Sequence, residues 1–447
     1  MLSKSRFTRG LICEKSLWLY KHKKEERVIS ESAQAIFAMG TSIGELATQY
    51  FPGGVMAVKG DFPTADSAKY TLELIAGGVE TIYEATFIYD NTLVAVDILH
   101  KNNGKWYLYE VKSTNSAKYE HVKDVAIQYY VVTGCGIQLE DAFVMHFNRD
   151  YVRQGDIDVK KLFNATSVLN QVLSWQDEIR PRISAFLSML EGDEPQVEMG
   201  KHCTSPYTCD YTDYCKSLLP KTEEKIILSS TPEVLPGKVR EYVSSVEYPI
   251  CHLDFETIMP GVPLFDNTRP YQQLPFQYSI HFQNEKDGKI SHSEYLAPSD
   301  LNIDPRKELI TRLIEDTKNA KTIFVYHIIF ERGRIKEMIR DFPEYSAGLK
   351  SIISRLKDLI IPFKKKYYRT ETMGSSSSIK VVLPAVCPGL SYDNLEYPDG
   401  MAASNAFLSM YYCNAPETIA KTRKDLLEYC HLDTLAMVKI FEVLKGV

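Results

Sequence analysis

The sequence predicts an α/β protein of two domains, and three observations lead there. A chain of 447 residues has room for two or three cores of ordinary size. Each half carries short strand-like runs, bounded by turn signals and alternating with stretches long enough for helix. Between the halves, around 219–246, the segment LLPKTEEKIILSSTPEVLPGKVREYVSSVEY mixes charge with three prolines and lacks periodicity. It reads as a linker separating residues 1–218 from 247–447.

In the first half, residues 31–50 (ESAQAIFAMGTSIGELATQY) read as helix from apolar residues at mixed i+3/i+4 spacing. Three strands follow in TIYEATFIYD, LVAVDILH and WYLYEVKS, the last two joined by a turn around Asn103-Gly104, a strong hairpin signal. Helices are expected over about 119–133 and 167–190. The second half opens with three strand-like runs, YPICHLDFETI, FQYSIHF and SHSEYLA. Then come a helix (about 304–318), the apolar run TIFVYH, a helix (about 330–341) and a terminal helix (about 421–445).

Hydrophobic residues make up 44% and charged residues 25%, which excludes extended disorder. No apolar run is long enough for a membrane span, and the N-terminal MLSKSRFTRGLICEKSLWLYKHKK lacks the apolar core of a secretory signal. A cytoplasmic protein is therefore expected. The net charge of −6 gives no general basic surface for nucleic acid, although metal-binding carboxylates would add negative charge to a nuclease. Nine cysteines in such a chain point to free thiols or metal ligands over disulfides.

Three constellations carry chemistry. The first is Asp97, near the end of one strand, with Glu110-Val111-Lys112 on the next. At a period of two, Glu110 and Lys112 face the same side. Phosphodiester hydrolysis with a divalent cation needs oxygen ligands, which Asp97, Glu110 and Val111 are expected to supply. Lys112 is placed to orient water and to stabilise charge on the phosphate. An isolated E-x-K is usually a surface ion pair; the preceding Asp and the following helix with Gln128 favour the functional reading. Glu84, one strand earlier, is as readily solvent-facing as supportive.

The second is Cys203, Cys209 and Cys215 in HCTSPYTCDYTDYC, with Cys13 alone near the N-terminus. Thiolates bind zinc or iron–sulfur clusters, and three so close together are hard to explain as packing. Cys135, Cys251, Cys387, Cys413 and Cys430 show no ligand spacing.

The third begins with Asp254 and Glu256, two apart on a strand, where like charges on one face call for a cation. Tyr429 and Asp433 share one face of the terminal helix, and His327 and Glu331 lie between the two pairs. Asp358 is a fallback carboxylate.

The first constellation resembles the PD-(D/E)XK motif of RecB-like nucleases. That resemblance makes Glu45 the acidic residue of the early helix and Gln128 the glutamine of the later one. The tyrosine usual four residues on is Val132 here, with Tyr129 and Tyr130 nearby. The cysteines resemble the iron–sulfur staple of CRISPR-associated RecB-like exonucleases and of the AddB helicase–nuclease, which implies a [4Fe–4S] cluster on Cys13, Cys203, Cys209 and Cys215. Both gaps here are five residues where that family commonly has two and five, which keeps Zn²⁺ as the alternative. The third set resembles the DnaQ-like DEDD exonucleases of RNase H-like fold, in the Tyr subtype, with H-x3-E replacing the usual N-x3-D.

Together with SIKVVLPAVCPGLSYDNLEY and EYCHLDTLAMVKIFEVL, these motifs resemble the bacterial family called domain of unknown function 2779. The resemblance implies a restriction-endonuclease-like core fused to a DnaQ-type mixed sheet flanked by helices. It also implies a nuclease using Mg²⁺ or Mn²⁺, exonucleolytic, with DNA ahead of RNA as partner and a role in repair, recombination or defence. The alternatives are a catalytically impaired nucleic-acid-binding or regulatory protein with a structural cluster, and a redox-responsive interaction module.

Overall fold

The computed structural model describes residues 1–220, 231–393 and 395–447, excluding the side chains of 31–33 and 35–39. The chain is a mixed α/β protein that divides into two units, Met1–Thr222 and Glu223–Val447. Of the expected linker at 219–246, residues 221–230 lie outside the described residues. Residues 236–244 are helical, started by a proline at the first helical position and holding Val239 fully buried. No helix among the described residues is long and apolar enough to cross a membrane.

Unit one begins with β1 (Leu2–Ser3), α1 (Lys4–Ile12), α2 (Glu14–His22), α3 (Glu31–Thr48), β2 (Val55–Met56) and α4 (Ala65–Ala76). The meander β3 (Thr81–Tyr89), β4 (Thr92–Asn102), β5 (Lys105–Val111) follows. Asn103 and Gly104 both have positive φ, 50° and 78°, the left-handed turn that a two-residue hairpin demands. After α5 (Tyr119–Gly134) come β6 (Leu139–Phe147), α6 (Val159–Leu162), β7 (Phe163–Ser167), α7 (Leu169–Ser174), α8 (Gln176–Met189) and α9 (Thr212–Ser217). The sheet runs β2-β3-β4-β5-β6-β7, with β1 beside β4 and β6 parallel to β5. Val125, Ile127, Val131 and Val132 of α5 are fully buried, and each such side chain contributes about 1.5–3 kcal/mol.

Unit two contains β8 (Glu233–Val234), α10 (Pro236–Ser244), β9 (Ile250–Ile258), β10 (Leu274–Gln283), β11 (Ile290–Leu296) and α11 (Pro305–Thr317). It continues with β12 (Thr322–Val325), α12 (Ile328–Asp341), α13 (Ser346–Arg355), β13 (Leu356–Asp358), α14 (Ile361–Lys364) and β14 (Tyr368–Arg369), which pairs with β8. The helices α15 (Ile379–Val386), α16 (Gly400–Met410) and α17 (Pro416–Lys445) complete it. Its sheet is ordered β11-β10-β9-β12-β13, antiparallel on the first side and parallel on the second. The long α17 packs on β9 and β10, with Leu426, Ala436, Met437 and Ile440 fully buried. Phe276 stacks on Phe407 at 3.9 Å, tying the sheet to α16.

Candidate functional site

In unit one the ladder register aligns Glu84, Asp97 and Glu110. Tyr83 pairs with Ile98 and Ala85 with Val96, so Glu84 lies opposite Asp97; Ile98 pairs with Tyr109, so Asp97 is followed across by Glu110. The Val111 N–H donates to Asp97 Oδ2 at 2.6 Å, which anchors Asp97 to the next strand. Glu110 is 1% exposed and is surrounded by donors. Gln128 Nε2 donates to its Oε2 at 2.6 Å, Lys112 Nζ stands 2.8 Å from Oε1, and Lys4 Nζ reaches both oxygens at 2.9 Å. Lys112 also donates to Asp124 Oδ2 at 2.5 Å.

These charges separate the two carboxyls. Burial would raise Glu110, yet Lys112 and Lys4 hold it well below the ordinary range. Asp97 is pushed up to about 8, by burial first and by Glu110 second. Burial likewise raises Glu84.

Asp97, Glu110, Val111, Lys112 and Gln128 therefore meet; Glu84, left open in the sequence between solvent and support, joins them, and Lys4 joins unforeseen. Glu45 is exposed on α3, and its described hydrogen bond runs through its carbonyl to Thr48; Glu84 is the third carboxylate at the row. Glu84 has φ 52°, a left-handed backbone that strand periodicity does not foretell. Val132 is core, and the Tyr130 hydroxyl donates to Asp90 at 2.9 Å.

The four cysteines share one neighbourhood. Burial raises the Cys13 and Cys215 thiols, and Cys203 and Cys209 act on both. The N-terminal helices are clamped to this segment by Arg9 on Asp210 at 2.7 Å, Arg27 on Asp210 at 2.5 Å and Lys15 on Glu194 at 3.0 Å. Cys209 Sγ lies 3.6 Å from the Ser16 hydroxyl, and the Ser16 N–H donates to Cys13 Sγ at 3.4 Å. The same segment sets the exposed Tyr207 within the field of Lys112.

In unit two, β9 presents Asp254 and Glu256 while α17 brings Tyr429, Cys430 and Asp433 over them. Ligand atoms of Asp254, Glu256 and Cys430 lie within 4.8 Å of one another. Burial raises Asp254 well above the carboxylate range, reinforced by Asp433, Glu256 and Glu331. Glu256 rises through burial and Asp433. Burial also lifts Glu331 to about 8 and Asp433 to about 6. Four carboxylates from β9, α12 and α17 thus converge, and Glu331 Oε2 is buried without a hydrogen-bond partner.

Three further groups there have no signal in the sequence. The Tyr392 hydroxyl donates to Asp433 Oδ1 at 2.7 Å. Lys380 stands over the Tyr392 and Tyr429 rings, 5.3 and 5.4 Å from their centroids. The first residue of α16, Gly400, runs so close that a Cβ there would stand 3.4 Å from Glu256 Oε2. Cys430, which lacks ligand spacing in the sequence, sits beside Asp254 and Glu256 as a thiol held protonated by burial. His327 is exposed, and Asp358 accepts from the N–H groups of His327 and Ile328 at 3.0 and 3.1 Å, capping α12.

A family model described as a domain of unknown function (DUF2779) matches residues 251–378, a stretch that contains Asp254, Glu256 and Glu331. The chain is also similar to the uncharacterized protein MG366 homolog of Mycoplasma pneumoniae, 27% identical over 206 residues, covering 42% of this chain and 31% of the relative. Uncharacterized protein MG366 of Mycoplasma genitalium is 27% identical over 205 residues, with the same coverage of 42% and 31%. The chain thus spans about a third of the length of the curated relatives it matches.

Proposed function

We propose that the chain is a metal-dependent nuclease acting on DNA, with one phosphodiester-cleaving site in each unit. The observation that carries the reading is that two sets of carboxylates, far apart in sequence, converge on two separate sheets. In unit two the carboxylates are crowded beyond what like charges tolerate without a cation; in unit one Lys4 and Lys112 neutralise Glu110, and Asp97 stays raised. Asp97 is pushed to about 8 beside Glu110, and Glu331 to about 8 with an unpartnered buried oxygen. All-oxygen donors suit Mg²⁺ or Mn²⁺.

Asp97 and Glu110, with the Val111 carbonyl, would hold the cation of the first site, and Asp254, Glu256 and Asp433 that of the second. A divalent cation held there acts as Lewis acid on the phosphate and lowers the pKa of bound water. Gln128 fixes Glu110 in one rotamer, and Lys112, braced by Asp124, directs its ammonium where charge grows on the phosphate. In the second unit Tyr392 orients Asp433, and Lys380 supplies the positive charge beside the carboxylates. The mixed sheet flanked by helices supports the RNase H-like reading of unit two, and the clamped cysteine segment supports a RecB-like reading of unit one. Exposed Tyr119, beside Trp175 at 6.2 Å with Lys123 over both rings, offers a stacking surface for bases.

The test is cleavage of end-labelled single- and double-stranded DNA and RNA by the full chain in Mg²⁺ or Mn²⁺. Lys112→Ala and Asp254→Ala should each remove at least about a hundredfold of the activity belonging to its own site. Tight DNA binding without turnover in either metal would overturn the reading in favour of a non-cleaving nucleic-acid-binding protein.

A further inference from the structure

Beside the carboxylates, one step along the same face of the sheet, unit two gathers histidines in a way no spacing announces. His252 pairs with His281 across β9 and β10, and His281 pairs with His292 across β10 and β11. His431 of α17 completes the group, so four of the chain's ten histidines lie together. Ligand nitrogens of His281, His292 and His431 all fall within 4.8 Å of one another, and His431 Nδ1 faces His292 Nε2 at 3.2 Å.

We propose that His281, His292 and His431 form a binding site for a borderline divalent transition metal, zinc by preference. Imidazole nitrogens select such ions over magnesium or calcium, which take oxygen. Two imidazole nitrogens on one tetrahedral zinc stand about 3.3 Å apart, close to the spacing of the His292 and His431 nitrogens.

The surroundings match those of a metal-binding imidazole, whose other ring N–H donates to a neighbouring group. The Thr434 hydroxyl lies 2.9 Å from His281 Nδ1 and also 2.7 Å from the Ser279 hydroxyl. Ser279 also lies 3.0 Å from His292 Nε2, the nitrogen that faces His431, so an ion there takes over that contact and leaves Ser279 on Thr434. Burial keeps His281 and His292 neutral, the form that coordinates. Glu294, whose Oε2 is 3.7 Å from His292 Nε2, stands ready as a fourth donor, and otherwise water completes the set.

The ligands come from β10, β11 and α17, so an ion there pins the edge hairpin to the helix that carries Tyr429 and Asp433. The site is separate from the carboxylate cluster in ligand chemistry, and it stands whether or not the chain cuts DNA.

The experiment is a metal count on the full chain. Protein stripped with a mild chelator is loaded with Zn²⁺, desalted and assayed for zinc, with His292→Ala and His431→Gln each made in an Asp254→Asn parent that removes zinc held by the carboxylates. The Asp254→Asn parent should hold one equivalent more than either histidine variant, whatever the cysteines retain in all three. Zn²⁺ should also raise the melting temperature of that parent and not that of the histidine variants. Far-UV circular dichroism selects the variants that fold, and one folded histidine variant suffices. Equal zinc in the Asp254→Asn parent and the folded histidine variants overturns the site.

Discussion

Lys4 and Glu110 are 106 residues apart, yet the Lys4 ammonium lies 2.9 Å from both oxygens of the Glu110 carboxylate and 4.0 Å from Asp97. A side chain that precedes the whole sheet thus supplies a positive charge between the two acids proposed to hold a divalent cation. Two cations cannot share that space without repulsion, which even at an effective dielectric of about 20 is several kcal/mol at contact. Lys4→Met should therefore tighten Mn²⁺ binding at the first site by at least about tenfold. Titration calorimetry in an Asp254→Asn background isolates that site. Unchanged affinity would mean that Lys4 swings clear when metal enters and is no competitor.

The carboxylates of unit two make stability depend on pH with a defined sign. Glu331 titrates at about 8 in the folded chain through burial, against about 4.3 for an unfolded glutamate. Between those values the folded state keeps a proton that the unfolded state has lost. The group's contribution is full at low pH and is lost as pH rises through about 8. His281 and His292, lowered to about 3 and about 4 by burial, act oppositely, but only below the unfolded histidine value near 6.5. In chelator the melting temperature of unit two should therefore fall from pH 6.5 to 8.5. Glu331→Gln should flatten that fall, and parallel wild-type and variant curves would remove Glu331 from the account.

Tyr392 gives a sharper reading of the same site. Its hydroxyl, 2.7 Å from Asp433 Oδ1, opposes the burial that lifts that acid to about 6. A hydrogen bond to a charged group is worth about 1.5–3 kcal/mol, or roughly one to two pKa units. Tyr392→Phe should thus move the acid limb of the second site's pH–rate profile up by about one unit. The Lys112→Ala background keeps the first site silent. A lower plateau with an unmoved limb would leave Tyr392 as packing alone.

What could be read in advance follows from the range of the signals. Asn103-Gly104 announces its hairpin because the turn is decided by two residues. Glu110 and Lys112 announce a shared face because strand period is local. Lys4, Tyr392 and Lys380 reach their carboxylates through tertiary packing, which no spacing encodes. Glu84 stays undecided in the sequence for a different reason: its left-handed backbone departs from the regular strand on which the face assignment rests. Glu45 shows the converse, since a helical acid can match a motif in order along the chain and still lie exposed.

Arg306 is a structural residue that charge alone would place on the surface. It is 1% exposed, with Nη1 at 2.6 Å from Asp341 and Nη2 at 2.7 Å from Asp304, and its guanidinium lies over the Phe342 ring. Removing one partner leaves Asp341, itself held low against burial by Arg340 and Arg306, with a charge only partly met. Arg306→Ala should cost about 3–5 kcal/mol. The paired change Arg306→Met with Asp341→Leu should cost less, because both charges leave together. Urea midpoints at constant slope give the comparison, and equal losses would show that packing of the long side chain, and not the ion pair, is what matters.

The cysteines decide between a cluster and a single ion. A tetrahedral zinc on thiolates draws its sulfurs to about 3.8 Å from one another. Among the described residues, no three of Cys13, Cys203, Cys209 and Cys215 bring their sulfurs within 4.8 Å, although Cys203 and Cys209 act on both Cys13 and Cys215. A [4Fe–4S] cluster on these thiolates would join α2 to the segment that Arg9 and Arg27 already clamp through Asp210. Protein purified without air should be brown, absorb near 400 nm and carry about four irons per chain. Cys13→Ser and Cys215→Ser should lose the colour, and Cys135→Ser should keep it. A colourless chain that loses one zinc with Cys13→Ser would establish the single-ion staple, because the same four thiolates then close on an ion in place of a cluster.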